Sequence, residues 1–168
     1  MPEKQTLQRA RRDKREGKAP TTQAGEFIRE EMHHIREGKH GARSPRQAIA
    51  IGLSKARRSG VELPPPKAGS VPEETREKAA RDYARGHGAP ARRKTTAKRR
   101  RATTSALKRE GHSAASPQAL ARQARSAACR RSRTQRSAAA RKAARTKGAA
   151  VRSASAKKAA RTRARTSQ

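Results

Sequence analysis

Few side chains in this sequence could bind a metal ion or act as a nucleophile. Three of its five histidines cluster at His33, His34 and His40, and Cys129 is the only cysteine. No cysteine lies near these histidines, and their spacing matches no common zinc-binding pattern. We therefore interpret the histidines as solvated polar positions and predict no metal site.

Catalytic motifs are equally scarce. The sequence has no Gly-rich phosphate loop, no nucleophile elbow and no pair of carboxylates in a pocket-forming context. With one Phe, one Tyr and no Trp, the chain has few large apolar side chains that could exclude water from an active site. Cys129 lies among arginines, which favour the thiolate, but we interpret it as an incidental free thiol. We predict no enzymatic activity and no cofactor.

The abundant basic side chains offer a different chemistry, the binding of polyanions. The net charge is +32, from 45 Lys and Arg against 13 Asp and Glu. Residues 1–80 hold 18 basic and 11 acidic side chains, residues 81–168 hold 27 and 2, and Glu110 is the last acid. Neutralising phosphates releases condensed counterions, so nucleic acid is the expected partner. A membrane-bound helix would need a broad stripe of Leu, Phe or Trp, which the basic half lacks, so we predict no membrane partner.

The predicted nucleic-acid-binding residues form three groups. The first surrounds a helix predicted at 45–59 and comprises Arg43, Arg46, Lys55, Arg57 and Arg58. The second lies further along the chain and comprises Arg92, Arg93, Lys94, Lys98, Arg99, Arg100 and Arg101. The third lies in the C-terminal region and comprises Arg122, Arg125, Arg130, Arg131, Arg133, Arg136, Arg141, Lys142 and Arg145. Ala and Ile fill the middle of the 45–59 helix, where a recognition helix carries Asn, Gln or Arg, so we predict phosphate contacts without sequence-specific readout.

Composition and apolar spacing together predict a mostly α-helical fold. Segment 22–37 has an apolar stripe at spacings of three and four, formed by Ala24, Phe27, Ile28, Met32 and Ile35. In segment 44–60, Ser44 and Gln47 predict a capping box at the helix start, and Gly60 is suited to the C′ position at its end. Helices 22–37 and 45–59 are expected to pack as a hairpin, or to pair with a second chain as a homo-oligomer.

Weaker helix signals occupy the rest of the chain. Segment 3–16 predicts a marginal helix, and Ser70 with Glu73 predicts a capping box for a helix ending at Gly86. The basic run Lys98 to Arg101 precedes a short helix candidate that ends at Gly111. Ser116-Pro117 starts another helix, on which Arg122, Arg125, Arg133 and Arg136 would share one face. Long basic regions are predicted to be disordered, or to become helical when phosphate removes their charge repulsion.

These signals divide the chain into four parts. We predict a small helical module at 1–62, a Pro-rich spacer at 63–69, a single helix at 70–86 and a basic low-complexity tail at 87–168. The tripeptide Arg-Glu-Gly recurs at 15–17, 36–38 and 109–111, through either an old duplication or chance in so biased a composition.

Two stretches resemble known proteins. The run KHGARSPRQAIAIGLSKARRSG resembles a motif of small, basic bacterial proteins of uncharacterised function, which reads basic-Ser-x-x-Gln-Ala-Ile-Ala-Ile-x-Leu-Ser-x-Ala and here covers Arg43 to Arg58. That resemblance implies a helix and a bacterial origin, but no mechanism. The tail RKAARTKGAAVRSASAKKAARTRART is similar to the Ala/Lys-rich tails of linker histones and of bacterial linker-histone-like proteins, although it has more Arg than Lys and few prolines.

The function that the sequence favours is sequence-nonspecific DNA binding by a nucleoid-associated or histone-like protein, whose polycationic tail neutralises and compacts DNA. Two alternatives use the same charges: an RNA-binding or ribosome-associated protein, and a protein-interaction module localised by its tail. DNA is favoured over RNA. The lone cysteine and the absence of an apolar signal core at the N-terminus predict a cytoplasmic, nucleoid-associated location.

Overall fold

A computed structural model of the protein describes residues 2–89 and 96–166. The elements in chain order are α1 (Lys4–Arg15), α2 (Pro20–Arg36), α3 (Pro45–Arg58), α4 (Glu73–Gly86), α5 (Ala97–Arg109), a 3₁₀ turn (Ser113–Ala115), α6 (Pro117–Cys129) and α7 (Arg133–Thr166). The described residues contain no strand, so the predicted mostly α fold is confirmed. The chain divides into two compact units, the front unit (Met1–Gln123) and the tail unit (Ala124–Gln168).

The helical hairpin formed by α2 and α3 is the centre of the front unit. Near one end, Phe27 of α2 packs with Ala56 of α3, together with apolar residues of α1. Near the other end, Ile35 of α2 packs with Ala48 of α3 and with Ala115. The two helices therefore run antiparallel, and the predicted hairpin is confirmed. Among the described residues, nine of the thirteen buried hydrophobic side chains are alanines, so the core is small.

Local signals set the ends of α3 as predicted. The Ser44 hydroxyl accepts a hydrogen bond from the Gln47 backbone N–H at 3.3 Å. The Gln47 side chain reaches back to the N–H of Arg43, at 2.8 Å. At the other end Gly60 has φ +81°, and the Val61 N–H donates to the Ala56 carbonyl, as in a Schellman motif.

The predicted capping box at the start of α4 is wrong. The Ser70 hydroxyl donates to the Lys67 carbonyl at 2.6 Å, and α4 begins three residues later, at Glu73. A cap at Ser70 would require helical backbone at Val71. Because Val71 precedes Pro72, the proline ring disfavours that conformation. The start of α2 also differs from the prediction, since it lies at Pro20, two residues earlier than Thr22.

The basic run Lys98 to Arg101 lies inside α5 rather than before it, because Thr96 caps the helix by accepting from the Arg99 N–H. The far end of α5 docks onto the loop between α2 and α3. The Gly41 N–H donates to the Leu107 carbonyl at 2.9 Å. A β-carbon at Gly41 would collide with the backbone of Glu110, so only glycine allows this approach.

The tail unit is dominated by α7. Ser132 and Gln135 form a reciprocal capping box: the Gln135 N–H donates to the Ser132 hydroxyl at 3.2 Å, and the Ser132 N–H donates to the Gln135 side chain at 3.1 Å. This helix start was not predicted from the sequence. It separates Arg133 and Arg136 from α6, so the predicted basic face shared with Arg122 and Arg125 does not form one helix surface. Within α7 the helical conformation is interrupted at Gly148, at φ 65° and ψ 170°.

Candidate nucleic-acid interface

The basic residues at the start of α5 are available to a ligand. Lys98, Arg99, Arg100 and Arg101 follow the Thr96 cap in consecutive positions, and all four side chains are exposed. Four adjacent residues point in directions about 100° apart around a helix. The first turn of α5 therefore carries positive charge on most of its circumference.

A groove in the front unit, which we call the basic groove, runs between α3, α4 and α5. Its volume is about 1340 Å³. Its basic lining residues are Arg57, Arg58, Lys78, Arg81, Arg85, Arg99 and Arg100, whereas Asp82 is the one acidic lining residue among those described. The groove therefore joins three helices into one electropositive surface, and an anionic strand is the ligand that its charge suits.

The contribution of α4 to the basic groove was not predicted from the sequence. Lys78, Arg81 and Arg85 recur at spacings of three and four, which places them on one face of the helix. That spacing could have indicated a basic helix face from the sequence alone. The face was obscured because α4 also carries Glu73 and Glu74 in its first turn.

Three members of the α3 group are exposed. Arg43 and Arg46 lie at the start of the helix, where Arg46 Nε donates to the Gln123 side chain at 3.3 Å. Arg58 lies at the other end, with its Nε 3.2 Å from the Ser54 carbonyl and 3.6 Å from Asp82 Oδ1. These guanidinium groups are only partly engaged, because each retains further N–H donors.

Lys55 and Arg57 have internal partners instead. The Lys55 ammonium lies 3.2 Å from Glu30 Oε1 and also contacts Glu31 Oε1, and both carboxylates are 1% exposed. Arg57 is 8% exposed, and its Nε donates to the Leu63 carbonyl at 3.1 Å. Burial lowers the pKa of Arg57 from its ordinary value, against the opposing effect of Asp82. Both side chains stabilise the front unit, so they are less available for nucleic-acid contacts than the exposed members of the α3 group.

The predicted residues of the C-terminal group are all exposed in the described structure. Arg122 and Arg125 lie on α6, Arg130 and Arg131 lie in the short segment after it, and the others lie in the first half of α7. The remaining α7 positions are Arg133, Arg136, Arg141, Lys142 and Arg145. Because Glu110 is the last acidic residue, no carboxylate side chain within this part of the chain can neutralise them.

Arg92, Arg93 and Lys94, which belong to the second predicted group, lie outside the described residues.

The histidines are not uniformly solvated as predicted. His33 is 67% exposed, but the side chains of His34 and His40 are only 12% and 16% exposed. Both lie beside the buried carboxylate of Glu31. The fold therefore assembles a partly enclosed polar cluster that the linear spacing did not predict.

Comparison with known protein families places part of the chain in a recognised family model. Residues 20–67 match the model of a family of unknown function (DUF6496). The matched segment contains α2, α3 and the proline run after them, so it agrees with the predicted resemblance to an uncharacterised family. Neither a curated protein nor a solved structure matches the chain. Over the parts of the chain that are described, no helix has the length and apolar character needed to cross a bilayer.

Proposed function

We propose that this protein binds duplex DNA without sequence specificity and compacts it by neutralising phosphates. The observation that carries the proposal is the exposure of its cations. Every described Lys and Arg from Arg130 to Arg165 is exposed, and no acidic side chain follows Glu110. Such an array binds polyanions because each phosphate that it neutralises releases counterions.

The position of the aromatic residues favours duplexes over single strands. Proteins that bind single strands stack bases on exposed aromatic rings. Phe27, the one Phe, is fully buried. Tyr83, the one Tyr, stacks on His87 at 4.0 Å between ring centroids and donates to Glu62. Neither ring offers a stacking platform, so the phosphate backbone is the feature that this surface would recognise.

The distribution of charge around α7 supports compaction. Arg136 and Arg145 are nine residues apart, as are Arg133 and Lys142. Nine residues correspond to about two and a half turns, so the members of each pair lie on opposite sides of the helix. One helix could therefore contact two duplexes at once and reduce their mutual repulsion. Together with the linker-histone-like composition of the tail, this supports a nucleoid-associated role in a bacterial cytoplasm.

A binding titration with matched variants tests the proposal. The full chain is titrated with duplex DNA and with structured RNA at several salt concentrations. One variant, Arg99→Gln with Arg100→Gln, removes two charges from the basic groove. The control, Lys18→Gln with Arg76→Gln, removes two charges that are paired with Asp13 and Glu73, so both variants have the same net charge.

We expect tighter binding to duplex DNA than to RNA, with a steep dependence of affinity on salt. The groove variant should reduce the slope of log K against log salt by up to about 1.8, because each duplex phosphate contributes about 0.9. The control should leave the slope nearly unchanged. A preference for RNA would contradict the proposal, and so would a shallow slope with tight binding to one sequence. Equal effects of the two variants would exclude the basic groove from the interface.

A further inference from the structure

A cluster of two imidazoles and one carboxylate lies near the end of α2, and its three residues are not among those that line the basic groove. The Glu31 side chain is 1% exposed. His34 Nδ1 lies 3.8 Å from Glu31 Oε1, and His40 Nε2 lies 3.5 Å from Glu31 Oε2. All three potential ligand atoms lie within 4.8 Å of one another. Glu31 and His34 form a Glu-x-x-His pair on one helix face, and the turn after α2 brings His40 to them.

In each imidazole, the outer nitrogen, which faces away from Glu31, already has a hydrogen-bond partner. His34 Nε2 lies 2.8 Å from Glu3 Oε1, and His40 Nδ1 lies 3.0 Å from the Gly41 carbonyl. Both partners are acceptors, so each outer nitrogen carries the ring proton. In the neutral rings the lone pairs are then on Nδ1 of His34 and Nε2 of His40, the two atoms that face Glu31. Metal-binding histidines have this arrangement, in which a carboxylate or a carbonyl fixes the tautomer.

The distances between the Glu31 oxygens and the imidazole nitrogens that face them fit a shared metal ion better than direct hydrogen bonds. At 3.8 Å the pair formed by His34 Nδ1 and Glu31 Oε1 is too long for a hydrogen bond, and the 3.5 Å pair formed by His40 Nε2 and Glu31 Oε2 is at the limit. Ligands bound tetrahedrally at about 2.0–2.2 Å from zinc lie roughly 3.3–3.6 Å apart. The separation to His40 lies within that range and the separation to His34 lies just above it. The two distances end on different oxygens of Glu31, so a side-chain movement would bring one oxygen and both nitrogens around a single ion.

The surrounding charge also favours a cation. Four carboxylates, those of Glu3, Glu30, Glu31 and Glu37, lie in this network with two ammonium groups, those of Lys39 and Lys55. Lys55 contacts Oε1 of Glu31, whereas Oε2 faces His40. A negative balance therefore remains, and one carboxylate oxygen is directed into the cluster.

We propose that Glu31, His34 and His40 form a binding site for a first-row divalent metal ion, and that zinc is the ion it fits best. Two imidazoles and a carboxylate are ligands that zinc accepts, and a water molecule would complete four-coordination. The ion would fix the loop after α2 to the helix. That loop receives the end of α5 through the hydrogen bond from Gly41 to Leu107, so the role of the metal would be structural.

Zinc titration of the full chain tests this site. All proteins carry Cys129→Ser, which removes the one thiol as a competing ligand. The test variant is His40→Ala, and the matched control is His33→Ala, because His33 is exposed and outside the cluster. A further variant, Glu3→Gln, replaces the partner of His34 without changing a proposed ligand, and it also weakens the exposed pair with Lys39. Zn²⁺ affinity and stoichiometry are measured by calorimetry in the absence of nucleic acid.

We expect one Zn²⁺ per chain, unchanged affinity in His33→Ala and at least a 100-fold loss in His40→Ala. Glu3→Gln should weaken binding by about 10–100-fold, the usual effect of altering a ligand's hydrogen-bond partner. Imidazole ¹⁵N spectra of the unsubstituted chain provide a readout that does not depend on the folding of a variant. Zn²⁺ should shift Nδ1 of His34 and Nε2 of His40. Equal affinities of the two alanine variants, or shifts confined to other histidines, would overturn the proposal.

Discussion

Gly52 of α3 lies against the backbone of Ile28 in α2, so closely that a β-carbon at position 52 would come within 2.8 Å of the Ile28 α-carbon. Carbon atoms in favourable contact are about 3.5–4.0 Å apart. The absence of a side chain at Gly52 therefore allows the two helices of the hairpin to cross. The crossing in turn places the apolar faces of α2 and α3 together.

The substitution Gly52→Ala is expected to destabilise the front unit. The gain in helix propensity is about 1 kcal/mol, but overpacking a tight contact costs about 1–3 kcal/mol, so the free energy of unfolding should fall. The control is Gly25→Ala in α2, where a β-carbon meets nothing within 4 Å. This control should stabilise the protein slightly. Amide hydrogen exchange at Ile35 measures both effects, and faster exchange in Gly25→Ala than in Gly52→Ala would contradict the packing argument.

Replacement of Lys55 by methionine should destabilise the protein strongly. Lys55→Met keeps the apolar stem but leaves the carboxylates of Glu30 and Glu31 buried without their ammonium partner. Removing one member of a buried ion pair costs about 3–5 kcal/mol. Urea denaturation measures the loss. The control, Lys78→Met, breaks an exposed pair with Glu74 and should change the free energy of unfolding little. Similar effects of the two substitutions would show that the Lys55 network does not stabilise the fold.

The carboxylate of Glu30 should make stability depend on pH in the acidic range. Burial by itself would raise the pKa of Glu30, but the Thr6 hydroxyl, the Glu3 backbone N–H and Lys55 lower it below its ordinary value. An unfolded Glu titrates near 4.3. The stabilisation is therefore complete above about pH 4.3 and is lost as the pH falls through the lower pKa of the folded state.

The variant Glu30→Gln isolates this contribution. Urea denaturation at neutral pH should show lower stability in the variant than in the unsubstituted chain. The difference should shrink as the pH falls below the unfolded value of about 4.3 and through the lower pKa of the folded carboxylate. A difference that stayed constant from pH 7 to pH 3 would assign the effect to packing instead of charge.

Two serines that look alike in the sequence should respond differently to substitution. Ser44 caps α3, so Ser44→Ala should lower the free energy of unfolding by about 1 kcal/mol. Ser70 closes a turn before α4 and caps no helix, so Ser70→Ala should have a much smaller effect. Thermal unfolding followed by circular dichroism compares the two. A larger loss from Ser70→Ala would show that the cap at Ser44 is not the stronger interaction.

The elements that could be predicted from the sequence are those whose signals act over a few residues. The cap at Ser44 and the turn at Gly60 depend on contacts between near neighbours, and the apolar stripes of α2 and α3 depend on helical period alone. The start of α4 was mispredicted although its signal is also local. The Ser70 and Glu73 pattern indicated a cap there, but the backbone restriction imposed by Pro72 was stronger.

The sequence by itself determined the helical character, the hairpin and the segregation of positive charge towards the C-terminal half, because composition and periodicity specify these directly. Only the tertiary structure decided which charged groups are available. Lys55 and Arg58 are three residues apart, yet the carboxylates of Glu30 and Glu31 enclose the first while the second remains exposed. The position of His40 against Glu31 was likewise set by the turn after α2. The environment of a side chain depends on what neighbouring helices place beside it, and residue spacing along one helix does not contain that information.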